Sequence, residues 1–164
     1  MKTIKSHNFI LSIPYKYKVR KLRFIGIYNF LMITLLRIKF PELNELVKMY
    51  PPDYKFFSGV KFFRVKMDTH IFSFITQITD REPEELKEFI ESGTKHSVSL
   101  KDICIKDFKV KTYGDYSDVM SWIDWWIKKG NCMICFNFQG LGMPSQVIKD
   151  DVRDILNSLE YIEE

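Results

Sequence analysis

Positive charge is sorted to one end of this chain. Residues 1–41 hold nine lysines and arginines and not one carboxylate. Residues 1–66 carry 14 cations against 3 acids, whereas residues 67–164 carry 11 against 18. A chain divided in this way has two options. Its halves can fold onto each other and neutralise, or it can display a cationic surface to something anionic. The overall charge of +4 conceals that choice.

The rest of the composition is that of a globular protein. The chain has 164 residues, 46% of them hydrophobic, with 7 Gly and 6 Pro. That length suits one domain spanning 1–164, basic over 1–66 and acidic over 67–164, with a core that needs no staple. Alanine is absent while Lys, Ile and Phe are abundant, as AT-rich coding would produce. Three cysteines, Cys104, Cys132 and Cys135, fit a reducing compartment or a virion better than a disulfide scaffold. The longest apolar stretch, Phe24 to Leu36, is too short to span a bilayer and follows too many charges to act as a signal peptide. The expected location is therefore the cytoplasm or a virion, without secretion and without a membrane span.

Periodicity predicts an α+β fold. Asn8 to Pro14 reads as a strand, and Tyr15 to Phe24 as a second that turns back on it near Pro14–Lys16. The two would form an N-terminal β-hairpin. Ile27 to Ile38 reads as a central apolar helix, and a short helix starts at Pro41 and runs through Met49. Tyr54 to Lys66 suggests a hairpin or a bulged strand. His70 to Ile78 fits helix better than strand, and Thr79 to Ser92 has an acidic helix start with Gly93 as its stop. Further strands are expected at Ile103 to Val110 and Cys132 to Phe138. Further helices are expected from Asp115 or Ser117 to Lys129 and from Ser145 to about Tyr161. The sum is a small mixed or antiparallel sheet packed by about five helices.

The first candidate for function is the run Lys16, Lys18, Arg20, Lys21 and Arg23, with Tyr15 and Tyr17 between the cations. Strand alternation puts Lys16, Lys18 and Arg20 on one face. Such a face can dock an acidic protein, or contact phosphates while the tyrosines stack on bases. It can also simply guard an edge strand against aggregation. The second candidate is aromatic. On a helix from residue 117, Trp122, Trp125 and Trp126 share a face, as a core anchor or a partner surface would require.

Other motifs point away from chemistry. Cys132 and Cys135 form a CxxC inside an expected strand, where residues three apart face opposite ways, so buried structural thiols are expected. Gly140 and Gly142 lie in a turn that lacks both the dinucleotide and the P-loop pattern. His7, His70 and His96 are isolated, and no GxSxG or HExxH occurs. No catalytic group, metal site or cofactor is assigned.

Phe9-Ile-Leu-Ser-Ile-Pro14, a basic turn, and Val19-Arg-Lys-Leu-Arg-Phe24 leading into an apolar helix resemble the N-terminus of baseplate hub assembly proteins of contractile-tailed phages. The resemblance covers about 30 residues. This chain lacks the proline of the Arg-Pro-Phe-like end and the acidic helix start, having Gly26-Ile-Tyr-Asn instead. The resemblance implies a non-enzymatic tail component. The expected function is thus protein–protein interaction or assembly, viral or phage structural roles included, through a partner with an acidic surface and in a hetero-oligomer. The alternatives are a small nucleic-acid-binding regulator using the basic strand, and a cytosolic inhibitor or immunity-type protein.

Overall fold

The computed structural model describes residues 1–22, 61–78, 82–83 and 100–163. These residues form ten strands and one helix, in chain order β1 (Lys2–Ser6), β2 (Phe9–Ile13), β3 (Val19–Leu22), β4 (Lys61–Met67), β5 (His70–Ile78), β6 (Lys101–Ile105), β7 (Phe108–Asp115), β8 (Met120–Lys129), β9 (Cys132–Leu141), α1 (Gln146–Asn157) and β10 (Glu160–Tyr161). The expectation of α+β with about five helices is overturned: 62% of the described structure is strand. The expected helices at 27–38 and 41–49 lie outside the described residues, as does the one at 79–92 except for residues 82–83.

Two antiparallel sheets result. One has the order β1-β2-β10, the other β3-β4-β5-β9-β8-β7-β6. Hairpins build both. Four of them close through two residues: His7–Asn8, Asp68–Thr69, Lys106–Asp107 and Gly130–Asn131. In each, the first loop residue has a positive φ, between 50° and 57°, as tight two-residue hairpin turns require. The N-terminal hairpin is therefore β1–β2. The expected pairing of 8–14 with 15–24 does not form, because β2 pairs with β1 and β10 whereas β3 pairs with β4 in the other sheet.

Two segments read as helical are strands. His70–Ile78 forms β5, in which His70, Phe72, Phe74 and Thr76 alternate into the core. Residues 120–129 form β8, with Ser121, Ile123, Trp125 and Ile127 inward. The three tryptophans therefore do not share a face. Trp122 and Trp126 lie on one side of the sheet and Trp125 on the other.

The core lies between the inner face of the seven-stranded sheet and the layer made by the small sheet and α1. Phe9, Leu11 and Ile13 of β2 meet Phe63, Phe72, Phe74, Phe136 and Phe138 from the large sheet. From the helical segment Ile148, Val152, Ile155, Leu156 and Leu159 close it. Phe63 stacks on Phe74 at 4.7 Å and Phe72 on Phe136 at 5.6 Å. Ser145 caps α1 by accepting from the Ile148 N–H. At the other end the Ser158 hydroxyl accepts from the Ser12 N–H at 2.8 Å, which ties the helix to β2.

The outer face of the large sheet is closed at one end and open at the other. Trp126 and Met133 are 7% and 1% exposed there. Two strand steps toward the opposite end, Trp122, Met120 and Leu141 are open. That open end holds the candidate site.

Candidate interaction site

The site follows from strand register. Arg20 of β3 lies opposite Arg64 of β4. Lys18 immediately precedes β3 and lines the same groove as Lys66 of β4. Inward alternation of Phe63, Val65 and Met67 sends Arg64 and Lys66 outward, and all four cations are exposed. Like charges directly opposite on neighbouring strands destabilise a sheet. No carboxylate among the described residues pairs with any of the four. They line a groove of about 1000 Å³ together with Asp68, Thr69, Ile71 and Leu141.

Not every residue of the expected surface belongs to it. Lys16 makes an ion pair with Asp151 of α1 at 2.6 Å. Tyr17 donates its hydroxyl to the same carboxylate at 2.6 Å and packs against the core, so it does not stand free to stack on a base. Burial and the adjacent Asp151 push the Tyr17 phenol well above its usual range. Lys21 faces the other side of β3, with its ammonium 6.0 Å from the Phe63 ring. Tyr15 is exposed, and Arg23 lies outside the described residues. The basic run is thus divided: Lys16 is neutralised by the C-terminal half, while Lys18 and Arg20 join Arg64 and Lys66. Among the tryptophans, Trp125 and Trp126 are buried and only Trp122 is open.

Arg64 and Lys66 were missed as site residues. The signal was present in Lys61–Met67, where apolar and basic residues alternate, but joining them to Lys18 and Arg20 requires the β3–β4 pairing. The exposed apolar residues Met120 and Leu141 were missed because joining them requires the β8–β9 pairing.

Beside Trp122 the outer face carries a satisfied polar network. Asp124 accepts from Trp122 Nε1 at 2.6 Å and from Asn137 Nδ2 at 2.7 Å. Burial raises the Asp124 carboxyl, and these two bonds oppose the rise. Cys135 lies on the neighbouring strand, where burial and then Asp124 push its thiol up, the opposite of what a reactive thiol needs. Cys132 faces the core, so the two thiols of the CxxC point to opposite sides of β9.

One hydroxyl–imidazole contact occurs between the sheets. Thr76 Oγ1 lies 2.8 Å from His7 Nδ1 and 2.5 Å from Ser6 Oγ. Thr76 and Ser6 are fully buried, so the trio fastens β1 to β5 rather than meeting a substrate. The described residues contain no group of three or more His, Cys, Asp or Glu that could hold a metal ion. No helix among them is long and apolar enough to cross a membrane.

No family model, curated protein or solved structure matches the chain.

Proposed function

We propose that this chain is a non-enzymatic interaction and assembly protein that docks the acidic surface of another protein on the groove of Lys18, Arg20, Arg64 and Lys66. One observation carries the reading: Arg20 and Arg64 face each other across two paired strands, Lys18 and Lys66 join them in one groove, and no described carboxylate is ion-paired to any of the four. Such an array strains the sheet in isolation and is relieved by an anionic partner. A tail or baseplate role is one form such an assembly can take, and its support is the N-terminal resemblance alone. An acidic protein is favoured over nucleic acid because Tyr17, which could have stacked on a base, is engaged by Asp151 and packs against the core.

The test uses a fluorescein-labelled poly-glutamate peptide and a single-stranded oligonucleotide of equal charge. Anisotropy at low salt is expected to show poly-glutamate binding that weakens steeply as salt rises. The double substitution Arg20→Glu, Arg64→Glu is expected to abolish it. Absence of binding, or tighter binding of the oligonucleotide than of the peptide, overturns the reading.

A further inference from the structure

The cationic groove does not end in polar surface. On its β9 side it runs into Leu141, which is 78% exposed. The register places Met120 of β8 opposite Leu141, and Met120 is 50% exposed. Trp122, 41% exposed, stands one outward position along β8. Val119, 80% exposed, adjoins them where its carbonyl accepts from the Gly142 N–H at 2.9 Å. Leu141, Met120 and Trp122 project from the same face as Arg20 and Arg64, by the alternation of paired strands. Scattered apolar side chains on a surface need no explanation, but a contiguous ledge abutting a cation cluster does.

Resting on the reading above, we infer that the partner presents a single segment with two parts: an acidic cluster for the groove, and beside it an apolar cluster for the Leu141–Met120–Trp122 ledge. Charge complementarity fixes the first part, since four cations outnumber the one carboxylate of the groove, Asp68, and none of them is ion-paired to a described carboxylate, so they select acids. The ledge fixes the second. The spacing fixes their separation. From β4 to β8 there are three strand intervals, or about 14 Å. A helix covers that distance in roughly ten residues and an extended segment in about four or five. The charge and the grease therefore lie end to end along the segment, not on opposite faces of it. Concavity favours a segment over a planar bilayer. The carboxylates of Asp115 and Asp124 near Trp122 disfavour a nucleic-acid backbone crossing the ledge.

Three fluorescein-labelled peptides of equal length test the inference: glutamates followed by leucine and phenylalanine, glutamates followed by serine and glycine, and the apolar half alone behind serine and glycine. The two-part peptide is expected to bind at least about tenfold more tightly than the acidic one, as burial of even one large apolar side chain would give. It is also expected to quench or shift the fluorescence of Trp122, a change absent in Trp122→Phe. Met120→Ser with Val119→Ser, two ledge residues outside the groove lining, should remove the tenfold advantage and leave acidic-peptide binding unchanged. Because both residues are open to solvent, the variant is expected to fold, and its melting curve checks this. Equal binding of the acidic and two-part peptides overturns this inference while the docking of acids stands. Failure of both to bind overturns the docking itself. Tighter binding to anionic phospholipid vesicles than to the two-part peptide overturns the choice of a protein segment.

Discussion

Single side chains decide how the open end of the large sheet is built. His70 is held at both ring nitrogens, by Thr69 Oγ1 and by the Gly142 carbonyl, each at 3.1 Å, and its ring stacks on Phe138 at 5.1 Å. Gly140 lies opposite it in β9, and a Cβ there would approach His70 Cδ2 to 2.3 Å. The ring cannot yield without breaking its bonds. Gly140→Ala is therefore expected to destabilise the fold by about 1–3 kcal/mol in urea denaturation, the range for overpacking. Tyr17 and Lys16 offer a second measurement, since both reach the Asp151 carboxylate. A hydrogen bond from a partly buried phenol to a charged oxygen contributes roughly 1.5–3 kcal/mol, while an ion pair with a half-exposed lysine contributes about 0–1 kcal/mol. Tyr17→Phe is expected to lower stability more than Lys16→Met, and the reverse order in chemical denaturation would show that the ion pair, not the phenol, holds residues 14–18 between β2 and β3 to α1.

At the scale of elements, β1 is fastened to β5 through Ser6, Thr76 and His7. Burial lowers the His7 pKa from its ordinary 6.5, and the charge of Lys61 lowers it further. The folded state thus disfavours the protonated ring. Stability should be intact above about pH 6.5 and should fall as acid protonates the unfolded chain first, levelling once the folded ring also titrates. His7→Asn, whose residue type tolerates the positive φ at this turn, is expected to flatten the decline between pH 7.5 and 5 in thermal melts. An unchanged slope would assign the acid sensitivity elsewhere. Elements also show where sequence reasoning was sound and where it failed. Cys132 to Phe138 read as a strand because its apolar run is bounded by turn residues, though β9 continues to Leu141 through the glycine-bearing segment read as a turn, and Ser145 marked the start of α1. Trp122, Trp125 and Trp126 misled because a spacing of three and four is helical, while the core-facing set Ser121, Ile123, Trp125 and Ile127 has strand period. The second reading was hidden because Trp126 is buried on the opposite face, so both periods fit. Gly130–Asn131 between two apolar runs was the deciding clue: it is a hairpin turn, not a helix stop. In His70–Ile78 the aromatic and β-branched residues carried the same message.

For the whole molecule, the charge division visible in the sequence is only half resolved by folding. Asp151 in the acidic half reaches back to Lys16, yet Lys18 and Arg20 meet two further cations and form no ion pair with a described carboxylate. Alternation in the basic run made Lys18 and Arg20 legible. The rest of the groove was not, because it depends on a pairing between residues some forty positions apart, which no local pattern encodes. The molecule therefore holds repulsion that an isolated, optimally stable fold would discard, and this has a measurable consequence. Removing one cation from the facing pair, as in Arg64→Gln, is expected to raise the melting temperature by about 1–3 °C at low salt, the shift that relief of a like-charge cross-strand pair would give in a chain of this size. The gain should vanish at high ionic strength, where solvent-exposed charges are screened. Pyrophosphate should stabilise the unsubstituted protein more than chloride at matched ionic strength, and Arg20→Gln with Arg64→Gln should erase the difference. A melting temperature lowered by Arg64→Gln at low salt would mean that the arginine is a structural support, and the groove would lose its claim to be held open for a partner.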